Sequence, residues 1–236
     1  MAKTCPVCGG SYADSNAFCP TDGTTLLSDS ASGDLVGSVI ANRYLVSALL
    51  GEGGMGRVYL ARHVRLPQQA AIKVMHAQAV GNRSLRDRFV REARILASLQ
   101  APQVSRVYDA GALKDGRLYL VMELLQGENL EAISERGPLA LGLAARLLMQ
   151  VCDGLIAAHD KGIVHRDLKP ENVFLVADDE ERLMPKLLDF GIAKLMGGAT
   201  GGHKTRTGVP MGTPYYMSPE QCRGDKIDLR TDVYSF

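Results

Sequence analysis

The sequence predicts an α+β protein in which a strand-rich part with one helix precedes a mainly helical part. Residues 44–75 alternate between apolar and other side chains on both sides of a glycine run, and such alternation is typical of strands. Residues 84–100 carry apolar side chains at helical spacing among many charges, and residues 139–161 form a longer, more apolar pattern of the same kind. The first 27 residues hold three cysteines and form a separate small module.

The composition is that of a globular protein and argues against several kinds of partner. The chain has 236 residues, 46% of them hydrophobic and 22% charged, with a formal net charge of +1. Such a small net charge gives no basis for binding nucleic acid or a membrane surface. Residues 1–20 lack the apolar core of a signal peptide. The most apolar long stretch, 139–159, is interrupted by Arg146, Gln150 and Asp153, so we predict a buried amphipathic helix and no membrane segment within the chain.

The cysteines favour metal binding in a reducing compartment over disulfides. The count of five is odd, and the first two form a Cys-x-x-Cys pair. We therefore expect a cytoplasmic protein, and we leave open a membrane anchor after Phe236. Cys5 and Cys8 are followed by two glycines, as in a thiolate knuckle whose backbone turns tightly under a metal.

The second half of the module, from Cys19 to Asp22, has the same spacing but ends in an aspartate where a fourth cysteine is expected. Apart from this departure, the segment looks like a small zinc ribbon of the kind fused to some bacterial regulatory proteins. Because zinc accepts carboxylate oxygen, one interpretation is a structural Zn²⁺ held by Cys5, Cys8, Cys19 and Asp22. The other is a degenerate ribbon that no longer binds metal. Residues 28–37 are small, polar and rich in Ser, which indicates a flexible linker.

A glycine run, residues 51–56, separates two predicted strands. In dinucleotide-binding folds such a run opens a helix, whereas here the alternating residues 57–62 continue as a strand. The result is a hairpin whose backbone can close over phosphates, because glycines carry no Cβ. In the next strand Lys73 points away from Ile72, as expected of a lysine directed into a nucleotide cleft, and Ala71 is small enough to leave room for a base.

The octet from His165 to Asn172 contains what phosphoryl transfer to a hydroxyl requires. Asp167 supplies a carboxylate for the hydroxyl proton, Lys169 a cation for the transferred phosphate and Asn172 an amide oxygen for a metal. Pro170 bars a helix at this point, so the octet should form a loop. A second acid, Asp189, follows a short predicted strand and precedes Phe-Gly.

Taken in order, these motifs resemble those of protein kinases, specifically bacterial serine/threonine kinases of eukaryotic type, over residues 44–236. The resemblance implies a bilobal kinase fold: a β-rich N-lobe with one αC helix and a hinge at 44–125, and a mainly helical C-lobe at 126–236. A zinc-ribbon-like module at 1–27 and a linker at 28–43 would precede it. Because the chain stops where the central helix of the C-lobe starts, we expect a fragment of a longer protein, with a truncated kinase as the alternative.

The resemblance also implies residue roles and the cofactors ATP and Mg²⁺, with Mn²⁺ as a substitute. Asp167, Lys169, Asn172, Lys73 and its ion-pair partner Glu92 would act in catalysis, and Asn172 and Asp189 would ligate the metal. The residues implied in nucleotide binding are Leu50, Gly51, Glu52, Gly53, Gly54, Met55, Gly56, Val58, Ala71, Lys73, Met122, Glu123, Leu125 and Leu175.

The substrates implied are Ser or Thr residues of proteins, since Lys169 and Thr213 are typical of serine/threonine kinases. Thr213 would lie in the peptide-binding loop. Thr205 and Thr207 would be autophosphorylated, with Arg166 and Lys194 as the receiving cations, and self-association would serve that reaction. Two alternatives stay open: a pseudokinase that signals by conformation, and a small-molecule phosphotransferase with the same catalytic loop.

Overall fold

The computed structural model of this chain describes residues 2–5, 8, 10–13, 15–23, 27–28, 34–54, 56–76, 83–177, 182–191 and 214–236. The chain divides into two compact units. The first comprises Met1–Gly81 and Tyr108–Leu124, and the second comprises Asn82–Val107 and Leu125–Phe236. The last of the three crossings between units, after Leu124, therefore falls within the segment expected to be a hinge.

The N-terminal module is built on very short strands. Strand β1 (Ala2–Thr4) pairs antiparallel with β2 (Ser11–Ala13) on one side and with β3 (Leu27–Ser28) on the other. Strands of two or three residues bury little apolar surface. Among the described residues, the buried cluster of this module consists of Cys5 and Cys19, with Tyr12 packed against them.

The rest of the first unit is an antiparallel sheet. Its strands are β4 (Val39–Ile40), β5 (Tyr44–Gly53), β6 (Gly56–His63), β7 (Gln69–Met75), β8 (Val107–Ala112) and β9 (Leu118–Glu123), in the order β4-β5-β6-β7-β9-β8. Strand β4 corrects one expectation, because it lies within the range 28–43 assigned to a linker. It forms because Ile40 is an apolar side chain that the sheet buries to 2% exposure, and its backbone pairs with Tyr44.

The register of this sheet sorts the side chains onto two faces. Tyr59, Ile72 and Val121 are opposite one another on neighbouring strands, and all three are completely buried in one core cluster. Their chain neighbours point to the other face, since side chains alternate along a strand. That second face carries Val58 beside Lys73, and Ala71 beside Met122. Four residues expected to bind a nucleotide therefore share one face.

The α-helices of the described residues lie in the second unit. They are α1 (Arg83–Ala97), α2 (Leu130–Ser134), α3 (Leu141–His159), α4 (Pro219–Arg223) and α5 (Arg230–Ser235). A three-stranded sheet joins β10 (Gly127–Asn129), β11 (Val173–Ala177) and β12 (Leu183–Leu187) in that order. Helix α1 forms where its pattern predicts and ends at Ala97. Phe89, Ala93 and Leu96 are its buried side chains in the described part of the chain, three and four residues apart as one helix face requires.

Helix α3 packs one face against β12. Its buried residues are Leu147, Val151, Gly154, Leu155 and Ala158. At Gly154 a Cβ would lie 3.0 Å from the side chains of Gln103 and Leu187, so glycine permits the close packing. By length and composition alone α3 could also cross a membrane. That is weak grounds for a span, because core helices have the same composition, and the buried face agrees with the predicted amphipathic helix.

Candidate active site

The glycine-rich hairpin of β5 and β6 leaves open space above its backbone. Gly51 and Gly53 are exposed, and a Cβ added to either would meet nothing within 4 Å. Gly56 is different: its φ is +154°, and a Cβ there would overlap the carbonyl oxygen of Val74. The sequence analysis explained all these glycines by their approach to phosphate. The structure shows that Gly56 is required by the pairing of β6 with β7.

A histidine holds the tip of this hairpin. His76, directly after β7, places Nε2 3.1 Å from the carbonyl oxygen of Gly53. The sequence analysis did not single out His76, because no pattern along the chain links it to the glycine run. Met55 lies outside the described residues.

Lys73 lies on the second face of the sheet and is 7% exposed. Its cross-strand neighbours are Val58 and Leu120. A lysine on a face that it shares with apolar side chains suits an anionic ligand with a flat apolar part, and a nucleotide is such a ligand. Among the other predicted residues of this unit, Leu50 is 52% exposed on β5 and Met122 is buried on β9.

In the second unit, one buried carboxylate organises the predicted catalytic loop. Asp232 is completely buried in α5 and accepts hydrogen bonds from the backbone N–H of His165 at 2.7 Å and of Arg166 at 2.8 Å. Its Oδ2 is also 2.8 Å from Nε2 of His159. Arg166 has φ of 66°, an uncommon conformation for a residue with a side chain. Asp232 therefore stabilises a backbone that would be unfavourable alone.

The amide of Asn172 is oriented by Asp167. Asn172 Nδ2 donates to the backbone oxygen of Asp167 at 2.7 Å and to its Oδ2 at 3.1 Å. Because the nitrogen is engaged in this way, the carboxamide oxygen is the atom that can ligate a cation. The backbone N–H of Leu188 donates to the backbone oxygen of Asn172 at 2.9 Å and so ties the segment that carries Asp189 to the loop. Carboxylate and carboxamide oxygens are ligands that hard divalent cations prefer, so these residues fit the expected metal.

Two further predicted residues have charged neighbours. Lys169 Nζ lies 3.2 Å from Oε1 of Glu171. Burial lowers the pKa of Arg166, and the nearby charge of Glu92 opposes that shift. Glu92 and Arg166 also line one small cavity with Phe190. Since Glu92 belongs to the second unit and Lys73 to the first, their ion pair stays a prediction.

His165 is a structural residue in this loop. Its side chain is completely buried, with Nε2 2.9 Å from the oxygen of Leu188 and Nδ1 accepting from the N–H of Asp167 at 3.3 Å. A neutral imidazole protonated on Nε2 satisfies both contacts. Its ring stacks at a tilt on Phe190, 4.6 Å between centroids. Burial lowers the pKa of His165, against the opposing charges of Asp232 and Asp167.

Acid is therefore expected to destabilise this loop through His165. The pKa is lowered from 6.5 in the folded chain, so below that pH the unfolded chain binds a proton that the folded chain does not. The free energy of unfolding is therefore highest above the pKa that His165 has in the unfolded chain. It decreases as the pH falls below that value, by up to about 1.4 kcal/mol per pH unit. Denaturant unfolding between about pH 7.5 and 5.5 should show a shallower pH dependence for His165→Gln than for the parent. Equal slopes would contradict the prediction.

Gln221 is a positioning residue that the sequence analysis missed. Its Nε2 donates to the backbone oxygen of Arg166 at 2.7 Å, and its Oε1 accepts from the N–H of Ser218 at 3.0 Å. Ser218 in turn caps α4, completing a capping box. The Ser-x-x-Gln spacing could have indicated this box, but the contact with Arg166, 55 residues away, could not be read along the chain.

The remaining predicted residues fall into three groups. Leu175 is buried at the centre of the β10-β11-β12 sheet, while Glu123 and Leu125 are half-buried. Cys5, Cys8, Cys19 and Asp22 do come together in the N-terminal module. Lys194, Thr205, Thr207 and Thr213 lie outside the described residues.

Comparison with known proteins places these motifs in a family. The model of the protein kinase domain matches residues 44–236. The serine/threonine-protein kinase pkn2 of Myxococcus xanthus is 46% identical over 198 residues, which are 84% of this chain and 24% of that protein. PknL of Mycobacterium tuberculosis is 43% identical over 203 residues, 85% of this chain and 49% of that protein. The chain thus spans between a quarter and a half of these relatives.

Solved structures agree. The crystal structure of the Mycobacterium tuberculosis PknI kinase domain matches with a TM-score of 0.66 and 31% identity, over 86% of this chain and 74% of that one. The expected fold, an α+β kinase fold with a β-rich part and a mainly helical part, is thereby confirmed. With the family model matching most of the chain and the relatives agreeing, the chain belongs to the protein kinase family, among the bacterial serine/threonine kinases.

Proposed function

We propose that this chain is the catalytic part of an ATP-dependent protein serine/threonine kinase in bacterial signal transduction. One observation carries the proposal: within one unit, Asn172 is hydrogen-bonded to Asp167, and Leu188, the residue before Asp189, is hydrogen-bonded to the backbone of Asn172. These three polar residues are the ones that phosphoryl transfer needs. The family uses ATP with a divalent cation. We infer that the cation is Mg²⁺, with Mn²⁺ as a substitute, because the available ligands are oxygens.

The residues would divide the work as follows. Asp167 would orient the substrate hydroxyl and accept its proton, while Lys169 would offset negative charge on the transferred phosphate. Asn172 and Asp189 would hold the cation, which when bound neutralises charge on the phosphates. Lys73, held by Glu92, and the glycine hairpin would bind the phosphates.

The nucleotide base would lie against the apolar face of the first unit. We propose that Val58, Ala71 and Met122 on that face contact the base, with Leu50 at the margin of the face. Leu175 keeps its predicted part in nucleotide binding. The backbone of Glu123 and Leu125 would read the edge of the adenine. The domain boundaries that follow are the kinase N-lobe at 44–125 and the C-lobe at 126–236, after the module at 1–27.

The substrates would be Ser and Thr hydroxyls of proteins, including the chain's own Thr205 and Thr207 through self-association. Arg166 and Lys194 would receive the phosphate, and Thr213 would dock the peptide. We place the reaction in the cytoplasm, where ATP and a reducing environment are available. The two curated relatives, pkn2 and PknL, are both named serine/threonine-protein kinases, which favours this activity over a small-molecule phosphotransferase.

Replacing the nucleotide-binding lysine provides the test. Lys73→Met should lower phosphate transfer from ATP to a Ser/Thr-containing protein at least about 10²-fold, because it removes a preorganised cation from the phosphates. The thermal unfolding midpoint should hardly change, since methionine fills the same space. Lys161→Met replaces an exposed lysine after α3 and serves as the control. Transfer unchanged by Lys73→Met would reject the assignment.

A further inference from the structure

The N-terminal module contains a cluster of side chains that the kinase reaction does not use. Cys5, Cys8, Cys19 and Asp22 each offer one ligand atom, and these four atoms all lie within 4.8 Å of one another. In the part of the chain that the structure describes, no other group of three or more such side chains comes together in this way. Cys5 and Cys19 are buried, which is unusual for residues at the start of a chain unless something holds them.

The distances suit one tetrahedral ion. With Zn–S bonds of about 2.3 Å, two sulfurs at tetrahedral angles lie about 3.8 Å apart, and a sulfur and a carboxylate oxygen slightly closer. The sulfurs of Cys8 and Cys19 are 3.5 Å apart, and Cys5 Sγ is 3.3 and 3.4 Å from the two carboxylate oxygens of Asp22. Both pairs are therefore close to the edges of such a tetrahedron.

Each of the two turns that carry the ligands directs a backbone N–H at a cysteine sulfur. In the first, the N–H of Cys8 points to Cys5 Sγ at 3.5 Å, and in the second the N–H of Thr21 points to Cys19 Sγ at 3.4 Å. Gly23 ends the second turn with φ of +73°, and its N–H donates to the oxygen of Cys19. Backbone donors aimed at sulfur stabilise thiolate, which is the form of cysteine that binds metal.

A hydroxyl supplies further polar contact. Tyr12 Oη lies 3.3 Å from Cys19 Sγ and 3.6 Å from Cys8 Sγ, and it also contacts Oγ1 of Thr21 at 3.1 Å. Three thiolates and one carboxylate would carry four negative charges around a divalent ion. Hydrogen-bond donors that surround the ligands, such as this hydroxyl and the two backbone N–H groups, partly offset the excess negative charge, as they do around other metal ligands.

The module has little besides these ligands to hold it together. Its strands contain two or three residues, and the buried cluster among its described residues is Cys5, Cys19 and the packed ring of Tyr12. A unit this small rarely folds on apolar burial alone and needs a metal or disulfides.

We propose that residues 2–28 fold around one Zn²⁺ held by the thiolates of Cys5, Cys8 and Cys19 and the carboxylate of Asp22. Thiolate ligands select zinc over Mg²⁺ or Ca²⁺, and four protein ligands make a closed, structural site. Asp22 is the fourth ligand, at the position where a second Cys-x-x-Cys pair would have a cysteine. The degenerate-ribbon alternative predicts no stoichiometric binding.

The test uses the whole chain, freed of metal under reducing conditions and titrated with Zn²⁺ against a chromogenic chelator. We expect one zinc per chain. Cys5→Ser, Cys8→Ser and Cys19→Ser should each weaken zinc more than about 100-fold, since losing a ligand costs more than losing its outer partner. Cys222→Ser removes an exposed cysteine of α4 outside the cluster and should bind like the parent.

Asp22 is tested by a pair of variants. Asp22→Ala should weaken zinc at least about 10-fold, whereas Asp22→Cys should keep or tighten it, because sulfur replaces oxygen as the fourth ligand. Co²⁺ in place of zinc should give the visible spectrum of a tetrahedral site with thiolate charge-transfer bands. Absence of stoichiometric binding, equal binding by the cysteine variants, or a Cys8–Cys19 disulfide in the freshly purified chain would overturn the proposal.

Discussion

Incubating the purified chain with ATP and Mg²⁺ is expected to add phosphate to it, seen as steps of one phosphate in the intact mass. Asp167→Asn should reduce the rate of that addition by about 10²–10⁴-fold, because the carboxylate that accepts the hydroxyl proton is gone. The variant should keep its loop, since the amide oxygen of an asparagine can still accept the hydrogen bond that Asn172 Nδ2 gives to Asp167 Oδ2. Activity, and not folding, should therefore be lost.

A surface aspartate provides the matched control. Asp153 is exposed on α3, so Asp153→Asn makes the same chemical change and should leave phosphate addition unaffected. Mapping the added phosphate to Thr205 or Thr207 would locate the self-phosphorylation site. If Asp167→Asn gained phosphate as fast as the parent, Asp167 would not have the proposed role. If neither protein gained phosphate on itself or on an added protein substrate, this stretch of the kinase would not be sufficient for catalysis.

Asp232→Ala is expected to destabilise the second unit by about 3–5 kcal/mol. The side chain is completely buried, and its removal leaves the N–H groups of His165 and Arg166 and the ring of His159 without their acceptor. Buried donors that lose a charged partner have this cost because water cannot replace it. Arg166 would also lose the contact that supports its positive φ.

The comparison with Asp228→Ala isolates the effect of burial. Asp228 lies four residues earlier and pairs with the largely exposed Arg230 at 2.8 Å. An exposed pair of this kind contributes little to stability, because water and salt screen its charges. Denaturant unfolding of the two variants should therefore show a much lower midpoint for Asp232→Ala than for Asp228→Ala. Similar midpoints would mean that Asp232 does not hold the catalytic loop.

The stretches that the sequence predicted best are those in which local pattern and chemistry agree. The alternation on both sides of the glycine run predicted β5 and β6, and the apolar spacing of residues 84–100 predicted α1 to within three residues at its end. The spacing of Cys5, Cys8, Cys19 and Asp22 likewise indicated a cluster that the structure does bring together. In each case the residues that act together are close along the chain.

Other features depend on contacts between distant segments and could not be read in that way. Strand β4 was not predicted, because two residues are too few to show the alternation of side chains that is typical of strands. Only its pairing with β5 defines it. Gly56 was explained by phosphate binding, while the structure shows that the carbonyl of Val74 leaves no room for a Cβ. Gln221 reaches Arg166 across 55 residues of chain, so its role was invisible without the fold.

The sequence by itself thus indicated the family and proposed the chemistry and the reacting groups, because phosphoryl transfer requires particular side chains in short, recognisable motifs. The tertiary structure decided how those groups are held. Asp232 is 65 residues beyond Asp167, and nothing local links them, yet hydrogen bonds from Asp232 to the neighbouring backbone fix the loop in which Asp167 lies. The physical reason is burial. A carboxylate without access to water must accept its hydrogen bonds from protein donors, and only the folded chain brings those donors to Asp232.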